Sequence, residues 1–146
     1  MNKYILLLDR LIETPSISRT EDRTADMLVA FLQEQGIRDV RRDLNNVWTT
    51  CAHFDSKKPT LLLNSHHDTV RPCASYTRDP FKATHENGRI YGLGSNDAGA
   101  SLILWTYNTS KNILNNKFKP LHYFKSFQII DFFPIHLYIL NLRSCA

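Results

Sequence analysis

Ile5, Leu8 and Ile12 recur at helical spacing and predict a helix over residues 3–13, with Pro15 ending it or marking the turn beyond. Ser18-Arg19-Thr20-Glu21 has the form of a capping box, in which Ser18 accepts from the amide of residue 21 and Glu21 reaches back. Met27, Leu28, Phe31 and Leu32 form a second apolar stripe that faces the core, and Gly36 after Gln35 supplies a stop. Residues 40–43 and 47–51 read as short strands about the turn-forming pair Asn45-Asn46. Residues 60–65 form a further strand with three consecutive leucines, Leu61, Leu62 and Leu63. Such a run belongs to a central strand covered on both faces, usually in a parallel sheet. Two helices ahead of a central strand make the expected fold class α/β, with a mainly parallel central sheet flanked by helices.

A long polar loop follows over residues 71–87, anchored by Asp79-Pro80-Phe81, and Asn87-Gly88 turns into a short strand over residues 89–91. Small residues then crowd from Gly92 to Ala100, where the backbone is free to take unusual angles and approach a ligand. An apolar helix is expected to begin over residues 101–107. Beyond that point the pattern loses its period. All five glycines lie before residue 100, and five of the eight phenylalanines lie after residue 117. Residues 124–133 could pair as strands but have no evident partner. The expected division is therefore residues 1–107 as one organised unit and residues 108–146 as a basic, aromatic-rich tail.

Charge follows the same division. Residues 1–108 carry 13 Lys and Arg against 13 Asp and Glu, so the net charge of +4 arises wholly in the tail. A chain whose organised part has no basic excess is not expected to bind nucleic acid. No apolar run is long enough to span a membrane, and the nearest, residues 127–142, contains Asp131, Pro134 and His136. The N-terminus mimics a signal peptide for a few residues, but charges follow at once and no small-residue cleavage site appears. Three widely spaced cysteines with no Cys-x-x-Cys pair suit a reducing, cytoplasmic setting.

Two constellations carry candidate chemistry. The first is His66-x-Asp68 at the end of the leucine strand. Residues two apart on a strand face the same way, so an imidazole and a carboxylate emerge together where the strand meets solvent. That suits a metal ligand whose other ring nitrogen is held by a carboxylate, although surface loops also contain such pairs. His67 points the other way and reads as structural. The second constellation is Gly92-x-Gly94-x-x-Asp97. It lacks the third glycine of a dinucleotide fingerprint, and Asp97 would repel a pyrophosphate. Asp97 makes better sense as a metal ligand or, on local grounds alone, as a helix N-cap.

These elements resemble the zinc-dependent family of aminoacylases, acetylornithine deacetylases and succinyl-diaminopimelate desuccinylases, which also holds dipeptidases and glutamate carboxypeptidases. The resemblance rests on residues 61–70 with their Ser-His-x-Asp-Thr-Val core, on Asp79-Pro80-Phe81, and on residues 88–97 ending in Ser95-Asn96-Asp97. Pro15-Ser16-Ile17-Ser18 followed by Glu21 also looks like the family's N-terminal turn. The resemblance implies a zinc-peptidase-like catalytic domain, of which residues 1–107 would be the opening part. It implies that His66 ligates one zinc, that Asp68 orients His66 as part of the catalytic apparatus, and that Asp97 bridges two zinc ions through a cis peptide to Ala98. Co2+ could replace Zn2+. The implied substrates are small N-acylated amino acids or peptides.

The sequence departs from that pattern in three respects. Leu93 and Gly99 stand where the family often has charged residues. The downstream Glu-Glu pair, which supplies the general base and a further ligand, has no counterpart, since the glutamates are Glu13, Glu21, Glu34 and Glu86. The late acidic and histidine ligands of the family are missing too, and His122 and His136 lie in unmatched sequence. The expectation is thus a truncated family member, inactive by itself, with a tail of the kind a frameshift produces. Two other readings compete: a non-catalytic remnant that binds a partner through its apolar tail, and a cysteine hydrolase pairing Cys73 with His66 or His67. No oligomeric state is implied.

Overall fold

The structure is a computed structural model, which describes residues 2–50, 57, 60–115 and 136–141. Helix α1 spans Lys3–Glu13 and starts where the Asn2 side chain accepts from the Tyr4 amide. It ends at Thr14, whose amide donates to the Leu11 carbonyl and whose hydroxyl donates to that of Arg10. Its buried apolar face is Tyr4, Leu7, Leu8, Leu11 and Ile12, broader than the predicted stripe, and Ile5 lies at its margin. The breadth arises because α1 is sandwiched: the Tyr4 ring meets Phe31 and Tyr107 edge-on at centroid distances of 5.4 and 5.1 Å.

Helix α2, Asp22–Glu34, buries Thr24, Ala25, Leu28, Phe31 and Leu32. Gly36, at φ +81°, closes it, and Ile37 folds back so that its amide donates to the Leu32 carbonyl while its side chain is buried. The capping box is not formed. Glu21 is itself the residue before the helix, with one carboxylate oxygen accepting from the Arg19 amide and the other from the Asn45 side chain. Ser18 turns its hydroxyl elsewhere, as described below.

The hairpin β1 (Val40–Asp43) and β2 (Asn46–Thr49) packs against α2 with Val40 opposite Thr49 and Asp43 opposite Asn46. Its two-residue loop is Leu44 and Asn45, one position earlier than the expected Asn45-Asn46, and Leu44 sits at φ +51°. Strand β3, Thr60–Ser65, pairs antiparallel with β6, His136–Asn141, from Thr60 opposite Asn141 to Ser65 opposite His136. A short hairpin, β4 (Thr84–Glu86) and β5 (Arg89–Tyr91), turns at Asn87 and Gly88. β4 was not foreseen; its three residues show no apolar alternation.

A wide helical turn over Ser95–Ala100 leads into α3, Ser101–Asn115. Leu102 and Ile103 of α3 complete one core with α1, α2 and Val47. The extended strand pairs among the described residues are antiparallel, with one parallel bridge between Ile17 and Thr69. The described pairings of β3 are with β6 alone, so they leave the expected parallel sheet around it untested. Residues 124–133, read as possible strands, lie outside the described residues. No helix among the described residues is long and apolar enough to cross a membrane.

Candidate metal centre

The end of β3 turns the chain so that consecutive side chains serve different purposes. His67 goes inward and is buried, as alternation predicted. Its Nε2 lies 3.0 Å from the Asn45 carbonyl, which only accepts, so Nε2 carries a proton. Its Nδ1 lies 2.7 Å from the Thr24 hydroxyl, which donates to it when the ring is neutral. Burial pushes the imidazole below its ordinary pKa, opposed by the Asn45 carbonyl and the nearby Glu21 and Asp68 charges. The Ser16 hydroxyl donates to the His67 carbonyl at 2.8 Å, and the Thr69 amide donates to the Ser16 carbonyl at 2.8 Å. The strand end is thus laced to α2, to the β1–β2 loop and to the segment between the first two helices.

With His67 pinned inside, His66 is presented outward. Its Nδ1 faces two oxygens of Asp68, the carboxylate Oδ1 at 3.1 Å and the main-chain carbonyl at 3.3 Å. Both only accept, so Nδ1 meets them as a donor when it carries the proton. Its Nε2 lies 3.0 Å from Oδ1 of Asp97. Asp97 only accepts as well, so a protonated ring donates to both carboxylates, whereas a neutral ring with its one N–H on Asp68 turns the Nε2 lone pair toward a lone pair of Asp97. A cation between them resolves that opposition. Two bonds of about 2.0–2.2 Å to one tetrahedral ion set nitrogen and oxygen roughly 3.3 Å apart. The observed separation is within a few tenths of an ångström of that, so the pair fits a zinc ion.

Asp97 reaches this position because the turn that carries it is built from small residues. Gly94 is left-handed at φ +75°, and a Cβ there would stand 2.7 Å from Cγ2 of Thr69. The Gly99 amide donates to the Gly94 carbonyl at 2.8 Å, and a Cβ on Gly99 would lie 2.6 Å from that same carbonyl oxygen and 2.7 Å from Leu8. Ser65 and Ser101 join their hydroxyls at 3.1 Å, tying the end of β3 to the start of α3. The Asp97–Ala98 peptide is cis, and the backbone of both residues is non-helical, a kink within the wide turn that opens at Gly94. The Asp97 side chain is 90% exposed.

A small pocket lies beside the pair, lined by Leu8, His66, Asp68, Thr69, Gly94 and Ala98. Its volume of about 20 Å3 is that of roughly one water molecule. Among the described residues no group of three or more His, Cys, Asp or Glu side chains is placed to hold one metal ion. Glu21 is committed to Arg19 and Asn45, and Glu86 pairs with Arg78 at 2.5 Å. His85 pairs with Asp9 at 2.8 Å, and His136 stands opposite Ser65 in the β3–β6 register. His122 lies outside the described residues. Cys73 is exposed on the long loop, and its hydrogen bond with Ser75 lowers its thiol pKa; among the described residues it pairs with no histidine.

The residues missed by sequence reasoning are Ser16, Ser18 and Asn45. The Ser18 hydroxyl donates to Oδ2 of Asp68 at 2.5 Å, a contact spanning 50 positions. The extended stretch after Pro15, between two helices, was the available signal.

Helices packed over a strand whose carboxyl end presents a His-x-Asp beside a second aspartate make up a partial domain with a metallopeptidase-like fold. Residues 62–120 match the sequence profile of peptidase family M20/M25/M40, and the chain belongs to that family. Among curated relatives, it is 27% identical over 111 residues to a succinyl-diaminopimelate desuccinylase of Delftia acidovorans, covering 70% of this chain and 29% of the relative. It is 30% identical over 131 residues to an acetylornithine deacetylase of Edwardsiella ictaluri, covering 82% and 34%. The chain therefore spans about a third of the length of these relatives. Two solved structures share the fold. An M20 family metallo-carboxypeptidase of Sulfolobus solfataricus superposes with a TM-score of 0.60 at 19% identity, over 97% of this chain and 31% of the other. Human carnosine dipeptidase 1 does so at 0.56 and 17%, over 95% and 31%.

Proposed function

We propose that this chain carries the zinc-binding corner of an amide hydrolase acting on small N-acylated amino acids or peptides, of the acetylornithine deacetylase and succinyl-diaminopimelate desuccinylase kind. One observation carries the reading: the His66 ring stands between Asp68 and Asp97 with Nε2 aimed at a second carboxylate. In this reading His66 and Asp97 hold the metal, and Asp68 keeps the ring in the tautomer that leaves Nε2 free. A bound zinc would lower the pKa of a water and polarise an amide carbonyl. In this reading residues 1–107 belong to the opening part of the catalytic domain, and the family match carries on to residue 120.

Two protein donors fall short of the three usual in catalytic zinc sites. With Glu21 and Glu86 held elsewhere, no glutamate among the described residues stands beside His66 as a base. Residues 1–146 by themselves are therefore expected to bind zinc weakly and to hydrolyse nothing. Titration of the purified chain with zinc, followed calorimetrically, tests this. Saturable binding that is lost in both His66→Ala and Asp97→Asn is expected. Binding that survives either change, or no binding at all, overturns the assignment.

A further inference from the structure

We infer that Ser18 is a positioning residue of the metal centre, holding the Asp68 carboxylate so that it in turn fixes the proton of His66. This rests on the reading of His66 as a ligand but concerns a residue that reading does not use. The Asp68 carboxylate has two oxygens with two occupations. Oδ1 faces Nδ1 of His66 at 3.1 Å, and Oδ2 accepts from Oγ of Ser18 at 2.5 Å. A hydrogen bond to an ionised acceptor is short and roughly twice as strong as a neutral one. It also has a geometric effect. A carboxylate tethered at one oxygen cannot rotate about its last side-chain bond, so the other oxygen stays on the imidazole.

The tether has a rigid mount. Ile17, the neighbour of Ser18, bridges Thr69 in parallel, and the Ser16 carbonyl accepts from the Thr69 amide at 2.8 Å. Ser16 also holds the His67 carbonyl. His67 and Thr69, on either side of Asp68, are therefore both bound to Ser16, two residues before Ser18. Thr20, whose hydroxyl donates to the Ile17 carbonyl at 2.7 Å, lies beyond this mount and bonds neither Asp68 nor the Ser18 hydroxyl. Ser18 itself is exposed, and its side chain contributes nothing to the core.

The His66 ring must choose between two acceptors, Asp68 at Nδ1 and Asp97 at Nε2. Metal binding at Nε2 needs the proton on Nδ1. Loosening Asp68 shifts the proton toward Nε2 and so closes the metal-binding nitrogen. The Asp68 main-chain carbonyl, 3.3 Å from Nδ1, retains part of the preference, which bounds the effect.

The test is a long-range proton–nitrogen NMR spectrum of the 15N-labelled full chain at alkaline pH, with the His66 ring assigned by its loss in His66→Asn. The Nδ1–H to Nε2–H population ratio is read in the parent, Ser18→Ala, Ser18→Thr and Thr20→Val. Ser18→Ala should lower the ratio several-fold, Ser18→Thr should restore it, and Thr20→Val, which loosens the turn without touching Asp68, should leave it in place. Zinc titration of the same proteins should show Ser18→Ala weakened about tenfold. An unchanged ratio in Ser18→Ala overturns the inference, as does an equal fall in Thr20→Val. Failure of Ser18→Ala to fold also overturns it, because an exposed positioning hydroxyl does not support the core. Absence of zinc binding in the parent refutes the metal assignment alone, since the tautomer ratio of the metal-free chain still decides the part played by Ser18.

Discussion

Replacement of His67 by alanine should unfold the region around the metal strand more readily than its distance from the main core suggests. The ring is buried and bridges three parts of the chain, with Nε2 on the Asn45 carbonyl at 3.0 Å and Nδ1 on the Thr24 hydroxyl at 2.7 Å. His67→Ala removes two hydrogen bonds, each contributing about 1 kcal/mol net. Thr24 keeps an acceptor in the Glu21 carbonyl at 3.0 Å, but the Asn45 carbonyl loses its ring partner. A cavity the size of the missing ring adds about 1–2 kcal/mol after partial collapse. The expected loss is about 2–4 kcal/mol, measured by urea unfolding of the full chain followed by circular dichroism. The Thr24→Val single variant and the double variant complete a cycle whose coupling should be about 0.5–2 kcal/mol. A loss under about 1 kcal/mol, or strict additivity in the cycle, would refute the idea that His67 is a joint between α2, the hairpin loop and β3.

Two further outcomes follow from the same geometry. His67 has its pKa lowered by burial, so the unfolded chain binds the extra proton first. Stability is then complete above the ordinary imidazole value of about 6.5 and declines as pH falls below it toward the lower folded value. Melting temperatures recorded from pH 7.5 to 5 should drop along that limb and flatten in His67→Gln; an unchanged slope in the variant excludes His67 as the source. Gly99→Ala places a methyl 2.6 Å from the Gly94 carbonyl oxygen, so the turn bearing Asp97 must move. The change should destabilise the chain by about 1–3 kcal/mol in chemical denaturation, and a change within experimental error would show that the turn yields freely.

The elements that sequence reasoning anticipated best are those whose information is local. α1, α2, β1, β3 and β5 arise from periodicity and punctuation within a few residues of each other. His66, Asp68 and Asp97 could be singled out for the same reason, since two-residue alternation and a run of small residues are visible without knowing what they pack against. The errors were made where a distant partner competes. Ser18 has the spacing of a helix cap, yet it donates to a carboxylate 50 positions away, so its oxygen is not the cap of α2. Leu44 takes a left-handed turn position that composition rules reserve for Asn or Gly, because Asn45 is drawn aside by Glu21 and His67. β4 is too short to show a period and exists only through pairing with β5.

The parallel bridge between Ile17 and Thr69 also orders events in time. Closing a loop of about fifty residues carries a length-dependent entropic penalty of roughly 3–4 kcal/mol. Neither Ser16 nor Ser18 has its strand partner until that closure, whereas both helices that flank them form from neighbours in sequence. The N-terminal helices can therefore assemble early and wait, with the leucine strand docking last. A ligand gripping His66 and Asp97 binds only the docked form, and by mass action it holds the first helices and the strand together as one cooperative unit.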